Sequence, residues 1–303
     1  MKKTLLITAG DPLGIGPEVT VKALKNPRVQ RACHAVVIGE PTSLKRAGFT
    51  KNLADLVAVE ATSSLPAKAQ PNQEAGQVSF QAVKLGIKWA LEQNLPLITA
   101  PINKQSWALA GVPFTGHTEA LRAFTKTEGL MMFTGGSLRC ALVTEHFALA
   151  DLPRVLTKNL IEARAKSFYK ALQQLGIKKP QIAVCALNPH AGDNGKFGTE
   201  EIKRILPALR ALAKQGMILA GPLPCDSVWA AHAHGKYDGL LCMYHDQALL
   251  PLKLAARKPI VHITARLPFL RTSPTHGTAF DIAGKNQADP DSMIAAILQA
   301  SQH

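Results

Sequence analysis

The feature that most constrains this chain is an alternation that recurs along its length. A short apolar run ends in a turn, and a stretch with helical spacing of apolar residues follows. Residues 4–10 (TLLITAG), 35–39 (AVVIG), 96–101 (PLITAP), 139–144 (RCALVT), 181–187 (QIAVCAL) and 237–243 (YDGLLCM) have the length and apolar character of buried strands. Helical spacing follows from Pro17, from Pro41, over 77–92, through Leu121 and Phe124, over 159–175 and over 291–300. Strands separated by helices pair in parallel, with the helices covering both faces. The expectation is an α/β fold with two α/β/α domains, mostly parallel sheets and a cleft between them. One domain would combine residues 1–115 with 278–303, and the other would span 116–277. Residues 50–76 are polar and read as surface connection.

Three of the apolar runs stop at a histidine. Residues 139–144 lead into Glu145-His146, residues 181–187 into Asn188-Pro189-His190-Ala191-Gly192, and residues 237–243 into Tyr244-His245-Asp246-Gln247. In a parallel sheet the carboxyl ends of the strands share one edge, where α/β proteins place their ligands. The three imidazoles can therefore converge, and three neutral nitrogen ligands suit zinc, cobalt or nickel with an open fourth position. The competing reading is three solvated loops, each with a hydrogen-bonded histidine. No close ligand spacing such as HExxH is present, so the pattern leaves both open.

Two loops have the makings of anion sites. Gly10-Asp11-Pro12-Leu13-Gly14-Ile15-Gly16-Pro17-Glu18 runs from a strand through glycines into a helix, and Gly116-His117-Thr118-Glu119 opens another. A tight turn and a capping motif are the plain alternatives. Arg271 to Lys285 is polar and glycine-rich, and by pattern is a surface turn before the last helix.

Composition narrows the class. The chain is 47% hydrophobic and 18% charged, with a formal charge of +14. Its Lys and Arg are scattered without a block or interleaved aromatics, which argues against a nucleic-acid partner and for a basic surface that attracts anionic substrates. No apolar stretch is long enough to span a membrane, and Gly10-Asp11-Pro12 ends the first apolar run too early for a leader. The five cysteines form no CxxC and mostly sit in apolar runs, as free thiols do in a reducing cytoplasm.

Taken together, the motifs resemble the 4-hydroxythreonine-4-phosphate dehydrogenase family of pyridoxal 5′-phosphate biosynthesis. The resemblance runs from Gly10 to the C-terminal helix through Gly116-His117-Thr118-Glu119, Asn188-Pro189-His190-Ala191-Gly192, Met243-Tyr244-His245-Asp246-Gln247 and His276-Gly277-Thr278-Ala279. The last of these, continued through Asp281-Ile282-Ala283-Gly284, is similar to the adenine-binding loop of isocitrate and isopropylmalate dehydrogenases. The resemblance therefore implies their fold, which binds NAD without GxGxxG, with Gly277, Thr278 and Asp281 on the cofactor side. It implies that His146, His190 and His245 hold one divalent metal ion, zinc, magnesium or cobalt. His117, Thr118, Lys253 and Arg271 would bind a small phosphorylated substrate, in a cytoplasmic homodimer whose active site draws on both subunits. The implied reaction oxidises the 3-hydroxyl of 4-phosphooxy-L-threonine with NAD, or with NADP, and the β-keto acid then loses its carboxylate. Asp226, Asp246 and Lys253 are the catalytic candidates; either aspartate could be the general base or could orient a metal-bound histidine. The sequence departs from the family at His262, where a substrate-binding Asn is usual, and at Arg266 and Thr275. These changes bear on the substrate, and D-threonate 4-phosphate is the alternative. A catalytically silent homologue is a further alternative, which the intact histidines oppose.

Overall fold

The computed structural model describes residues 2–302. In chain order the strands are β1 (Lys3–Thr8), β2 (Cys33–Gly39), β3 (Asp55–Ala58), β4 (Leu97–Thr99), β5 (Leu130–Gly135), β6 (Leu138–Leu142), β7 (Ile182–Cys185), β8 (Ala220–Leu223), β9 (Gly239–Cys242), β10 (Val261–Ala265) and β11 (Arg271–Pro274). The α-helices are α1 (Gly16–Lys25), α2 (Pro27–Ala32), α3 (Pro41–Arg46), α4 (Gln73–Gln93), α5 (Lys104–Leu109), α6 (His117–Thr125), α7 (Leu152–Val155), α8 (Lys158–Gln174), α9 (Leu206–Ala213), α10 (Cys225–Ala233), α11 (His245–Ala255) and α12 (Asp291–Ser301). The chain divides into two compact units, Met1–Gly129 with Val261–His303, and Leu130–Ile260.

In the first unit the strand order is β3-β2-β1-β4-β11-β10. Every pairing is parallel except β10 with β11. Leu5, Leu6 and Ile7 are all buried, as expected of a central parallel strand covered on both faces. Helix α4 starts a turn before the sequence expectation because Asn72 accepts a hydrogen bond from Ala75 N–H and caps it. Gly86 lets α4 approach the sheet, since a Cβ there would lie 2.9 Å from Thr8 Cγ2.

In the second unit the order is β5-β6-β9-β7-β8, with β5–β6 antiparallel and the remainder parallel. The core is built from Cys140, Leu142, Ala183, Cys185, Leu240 and Cys242 of the strands, under Trp229, Leu249 and Leu252 of the helices. All five cysteines are free. Among the described residues no helix is long and apolar enough to cross a membrane.

Both units are α/β with mostly parallel sheets, as the alternation requires. The junctions fall at 129/130 and 260/261 rather than near 115 and 277. Helix α6 packs on α4, and β10 and β11 return to the first sheet. His117, Thr118, His262 and Arg271 therefore belong to the first unit, not to the unit of the three histidines.

Two further corrections concern polar segments. Residues 50–76 contain β3, a half-exposed edge strand on β2. The run from Arg271 is not a surface turn at its start, because β11 is buried at all four positions between β4 and β10. Most of its polar groups find partners within the fold: Thr272 Oγ1 donates to Ala296 O at 2.9 Å, and the Arg271 guanidinium donates through Nη1 and Nη2 to three neighbours described below.

Candidate active site

Strands β6, β9 and β7 lie side by side and parallel, so the loops carrying His146, His245 and His190 leave the same edge of the second unit's sheet. Backbone bonds continue the β6–β9 pairing past the strand ends, with Val143 N–H to Cys242 O at 2.8 Å and Thr144 N–H to Met243 O at 3.1 Å. The chains then part at Glu145 and Tyr244. The rings of His146 and His245 come together, 5.4 Å between centroids. His245 is the first residue of α11, and its Nδ1 meets Asp246 Oδ1 at 2.8 Å. That contact orients the ring and leaves Nε2 for a ligand, the carboxylate–histidine arrangement of metal sites.

His190 is exposed, on a loop whose residues His190, Ala191, Gly192, Asp193 and Asn194 all have positive φ. Among the described residues no group of three or more His, Cys, Asp or Glu side chains is assembled for a metal ion. The structure thus pairs His146 with His245 and leaves His190 on the adjacent strand's loop. The donor chemistry, neutral imidazoles with one carboxylate behind them, suits a divalent transition metal.

Two side chains that sequence reasoning passed over hold these loops. Gln247 is buried; its Oε1 accepts from Met243 N–H at 2.6 Å and its Nε2 donates to Ala186 O at 2.7 Å. It thereby ties the end of β9 to the end of β7. Glu201, 2% exposed, accepts from Leu187 N–H and Asn188 N–H, both at 2.8 Å. The amide of Asn188 donates to Glu200 at 2.8 Å and to Glu201 at 3.0 Å. Gly198, at φ +120°, must be glycine here because a Cβ would lie 2.4 Å from Asn188 Nδ2. The signal for Gln247 was its i+4 spacing from Met243; that for Glu201 was a carboxylate among apolar helix positions.

Asp226 is exposed in the first turn of α10 and accepts from Ser227 N–H at 2.8 Å. Of the two aspartates, Asp246 is the one bonded to a candidate ligand. Lys253 is exposed in the last turn of α11.

The first unit holds a different kind of site. Arg271 is 2% exposed and has no carboxylate among its hydrogen-bond partners. Its Nη2 donates to Thr99 Oγ1 at 2.6 Å, and its Nη1 donates to Thr264 Oγ1 at 3.0 Å and His262 Nδ1 at 3.1 Å. Its Nε is buried with no hydrogen-bond partner. Burial pushes the guanidinium down to about 9, so it stays charged at neutral pH. Because a guanidinium only donates, His262 Nδ1 is the acceptor and the ring proton sits on Nε2. His262 is thus neutral while this bond holds.

His117 opens α6 with its ring edge-on to Trp107, 5.8 Å between centroids. Its Nε2 is buried without a hydrogen-bond partner. Burial, aided by the Arg271 charge, holds this imidazole well below the usual histidine range. Thr118 follows in the same first turn, half-buried. A buried cation without a counter-ion beside a neutral imidazole with an unused nitrogen is an anion-binding arrangement.

The His117 shift has a pH consequence. The unfolded chain binds this proton more readily, so its contribution to stability is complete above about pH 6.5 and declines as pH falls toward the folded pKa, by at most ~1.4 kcal/mol per pH unit. The His117→Gln variant is expected to lose less stability than the parent between pH 7 and pH 5.5 in urea titrations. His232, also shifted down by burial, supplies a slope common to both. Equal slopes in the two proteins would overturn the assignment.

Thr278 is buried and its carbonyl accepts from Ile15 N–H at 2.9 Å. Gly14 packs against it so closely that a Cβ would lie 2.9 Å from Thr278 Cβ. The glycine loop after β1 and the loop 277–286 are therefore one built surface. Gly277 and Asp281 are exposed on it, and a cavity of 380 Å³ adjoins it.

Residues 17–300 match the family model for PdxA, the pyridoxal phosphate biosynthetic protein. The chain belongs to the PdxA family. It is 38% identical over 325 residues to a 4-hydroxythreonine-4-phosphate dehydrogenase of Geobacter metallireducens, covering 99% of this chain and 95% of the relative. It is 36% identical over 318 residues to a D-threonate 4-phosphate dehydrogenase of Cupriavidus necator, covering 98% and 96%. The crystal structure of a 4-hydroxythreonine-4-phosphate dehydrogenase from Klebsiella pneumoniae superposes with a TM-score of 0.88 at 33% identity, covering 100% of this chain and 99% of that one. A β-decarboxylating dehydrogenase of Thermococcus kodakarensis, 14% identical, shares the fold at a TM-score of 0.51. As a PdxA family member the chain is a dehydrogenase.

Proposed function

We propose that this PdxA family member oxidises 4-phosphooxy-L-threonine at its 3-hydroxyl with a nicotinamide dinucleotide, giving 2-amino-3-oxo-4-phosphooxybutanoate, which decarboxylates to 3-amino-2-oxopropyl phosphate. The observation that carries the reading is Arg271, buried, charged and without a carboxylate partner. A phosphate or carboxylate of the substrate supplies the missing negative charge, and a guanidinium binds either in bidentate fashion. His117 offers Nε2 to the same kind of group, and Thr118 and Lys253 are the further substrate contacts. His262 acts as a neutral side chain that receives one Arg271 hydrogen, which fixes the guanidinium in its plane.

His146, His190 and His245 would hold a divalent metal, which when bound supplies a positive charge that acidifies the substrate hydroxyl and favours loss of the carboxylate. Asp246 holds the His245 ring in the tautomer with Nε2 free. Gln247 and Glu201 keep the β7 and β9 loops in register for it. Asp226, bonded to its own helix N–H, is the carboxylate left to take a proton. Gly277, Thr278 and Asp281 would hold the dinucleotide, which when bound would serve as the hydride acceptor.

A second reading, the same chemistry on D-threonate 4-phosphate, is favoured by His262 at the family's usual Asn position and by the similarity to the Cupriavidus enzyme. Metal-loaded protein assayed for nicotinamide reduction with each substrate separates them. Turnover of the aminated substrate supports the first reading, and turnover of D-threonate 4-phosphate alone replaces it with the second. Failure of both sinks both.

We also assign this chain to a cytoplasmic homodimer. Free Cys185 and Cys242, with sulfurs 3.8 Å apart and no disulfide, suit a reducing compartment. Leu250 and Leu254 of α11 are 62% and 81% exposed, and Phe147 and Leu149 are 54% and 67% exposed, apolar side chains of the sort that subunits cover. Leu254→Glu is expected to shift the sedimentation mass from dimer toward monomer. A dimer that is indifferent to this charge would remove α11 from the interface.

A further inference from the structure

Residues 277–288 belong to no helix or strand, and the segment 15–22 holds them at both ends. At one end the Thr278 carbonyl accepts from Ile15 N–H at 2.9 Å. At the other, Lys22 Nζ of α1 donates to Asn286 O at 3.0 Å and to Ala288 O at 2.8 Å. The same ammonium donates to Glu18 Oε1 at 2.9 Å, and that oxygen also accepts from Ala288 N–H at 2.8 Å. Between these anchors the chain turns on itself, with Ile282 N–H to Ala279 O at 3.1 Å and Lys285 N–H to Ile282 O at 3.2 Å.

The second anchor is a clamp with every contact engaged. An ammonium has three N–H donors, and those of Lys22 have three acceptors. Ala288 is gripped at both its N–H and its C=O, and it is 2% exposed between the exposed residues 284–287 and 289. Glu18 and Lys22 stand four apart on α1 and so share a face. Their side chains are 10% and 26% exposed, which spares the pair much of the screening that weakens surface ion pairs. A lysine in the last turn of a helix commonly serves the helix dipole by meeting that helix's own final carbonyls. The Lys22 ammonium instead meets carbonyls of the distant loop.

We propose that Lys22, together with Glu18, is a positioning residue for the loop 277–288, holding the chain that carries Thr278 and Asp281 in the shape that receives a dinucleotide. The proposal rests on the dinucleotide-dependent reading above and is indifferent to which dinucleotide is used. Lys22 acts through the backbone of the loop. Its loss lowers the fraction of molecules with the loop in place, and apparent affinity falls by that fraction. The chemistry of the bound complex is unchanged.

The test pairs amide hydrogen exchange on the ligand-free protein with steady-state kinetics of the metal-loaded protein, in the parent, Lys22→Met, Lys22→Arg and Glu18→Gln. In Lys22→Met, exchange over residues 279–288 is expected to quicken about tenfold, as the loss of charged hydrogen bonds implies, while β4 and β7 keep their protection. The KM for the dinucleotide is expected to rise about tenfold, with kcat and the KM of the phosphorylated substrate within about twofold of the parent. Lys22→Arg keeps a charged donor and is expected to recover part of both losses. Glu18→Gln keeps an acceptor for Ala288 N–H and is expected to fall between the parent and Lys22→Met. These two variants carry the comparison if Lys22→Met does not fold. Faster exchange with an unchanged dinucleotide KM makes the clamp structural only and overturns the proposal, as does unaltered exchange. A lower kcat with both KM values raised marks a general loss of the fold and overturns it as well. In each of those cases a parent that turns over leaves the dinucleotide reading standing. If the parent reduces neither NAD nor NADP, that reading falls and the positioning role falls with it.

Discussion

Arg271→Met is expected to remove turnover while leaving the folded chain at least as stable as the parent. The guanidinium sits in β11 at 2% exposure and among the described residues hydrogen-bonds to Thr99, Thr264 and His262, none of which carries negative charge. A buried ion without a counter-ion costs several kcal/mol in the free protein. The hydroxyls that the variant leaves behind cost about 1–3 kcal/mol each when unpartnered, and less where they rotate to another acceptor. The desolvation term is the larger, so a methionine of similar length and no charge relieves more than it breaks. Function moves the other way. Loss of a bidentate, charge-assisted contact in a dry site is expected to lower kcat/KM by about 10³-fold, or ~4 kcal/mol. The two effects share one thermal-shift experiment. Inorganic phosphate at about 100 times its dissociation constant stabilises a binding protein by ~2.7 kcal/mol. The parent is expected to show that shift and the variant none. A variant that melts well below the parent, yet still responds to phosphate, would make Arg271 a structural residue.

His245→Ala is expected to abolish metal binding and, with it, activity. Equilibrium dialysis against cobalt should give one ion per parent chain and none per variant chain, with the same loss in His146→Ala and His190→Ala. Asp246→Asn keeps the imidazole but loosens its tautomer and orientation, so cobalt affinity should fall by about 10- to 100-fold without vanishing. His190 is the decisive member. His146 and His245 already face each other at 5.4 Å, whereas His190 opens a run of six positive-φ residues, 190–195. Left-handed non-glycine residues cost about 1–2 kcal/mol each unless their surroundings compensate. Glu201 and Asn188 hold the base of that loop. Metal ligation by His190 is therefore expected to slow hydrogen exchange over residues 188–198. Cobalt binding that survives His190→Ala, with no change in exchange, would leave His190 outside the site and return it to the solvated-loop reading.

The two sites were legible to different degrees. The histidines after β6, β7 and β9 could be found because each ends an unbroken apolar run, and parallel pairing then dictates that their loops share an edge. Arg271 could be named through family resemblance, but its strand could not. Arg271-Thr272-Ser273-Pro274 lacks the apolar alternation that marks a strand, so its pattern predicts a turn. The same blindness hid β3, whose edge position leaves it half-exposed, and the roles of Gln247 and Glu201, which act through backbone groups.

The sequence by itself determined where regular structure must start and stop wherever the cause is local. Pro17 and Pro41 stand in the first turns of α1 and α3, and the continuous apolar runs of β7 and β9 are buried at every position. These choices depend on neighbours a few residues away, so pattern suffices. Tertiary structure alone decided which polar side chains could be buried. Arg271 is accepted in a strand only because Thr99, 172 residues earlier, comes to lie beside it, and Glu18 is held by Ala288 N–H, 270 residues away. Burying a polar group is permitted only when a partner satisfies it. Partners so distant along the chain leave no periodic trace in the residues themselves.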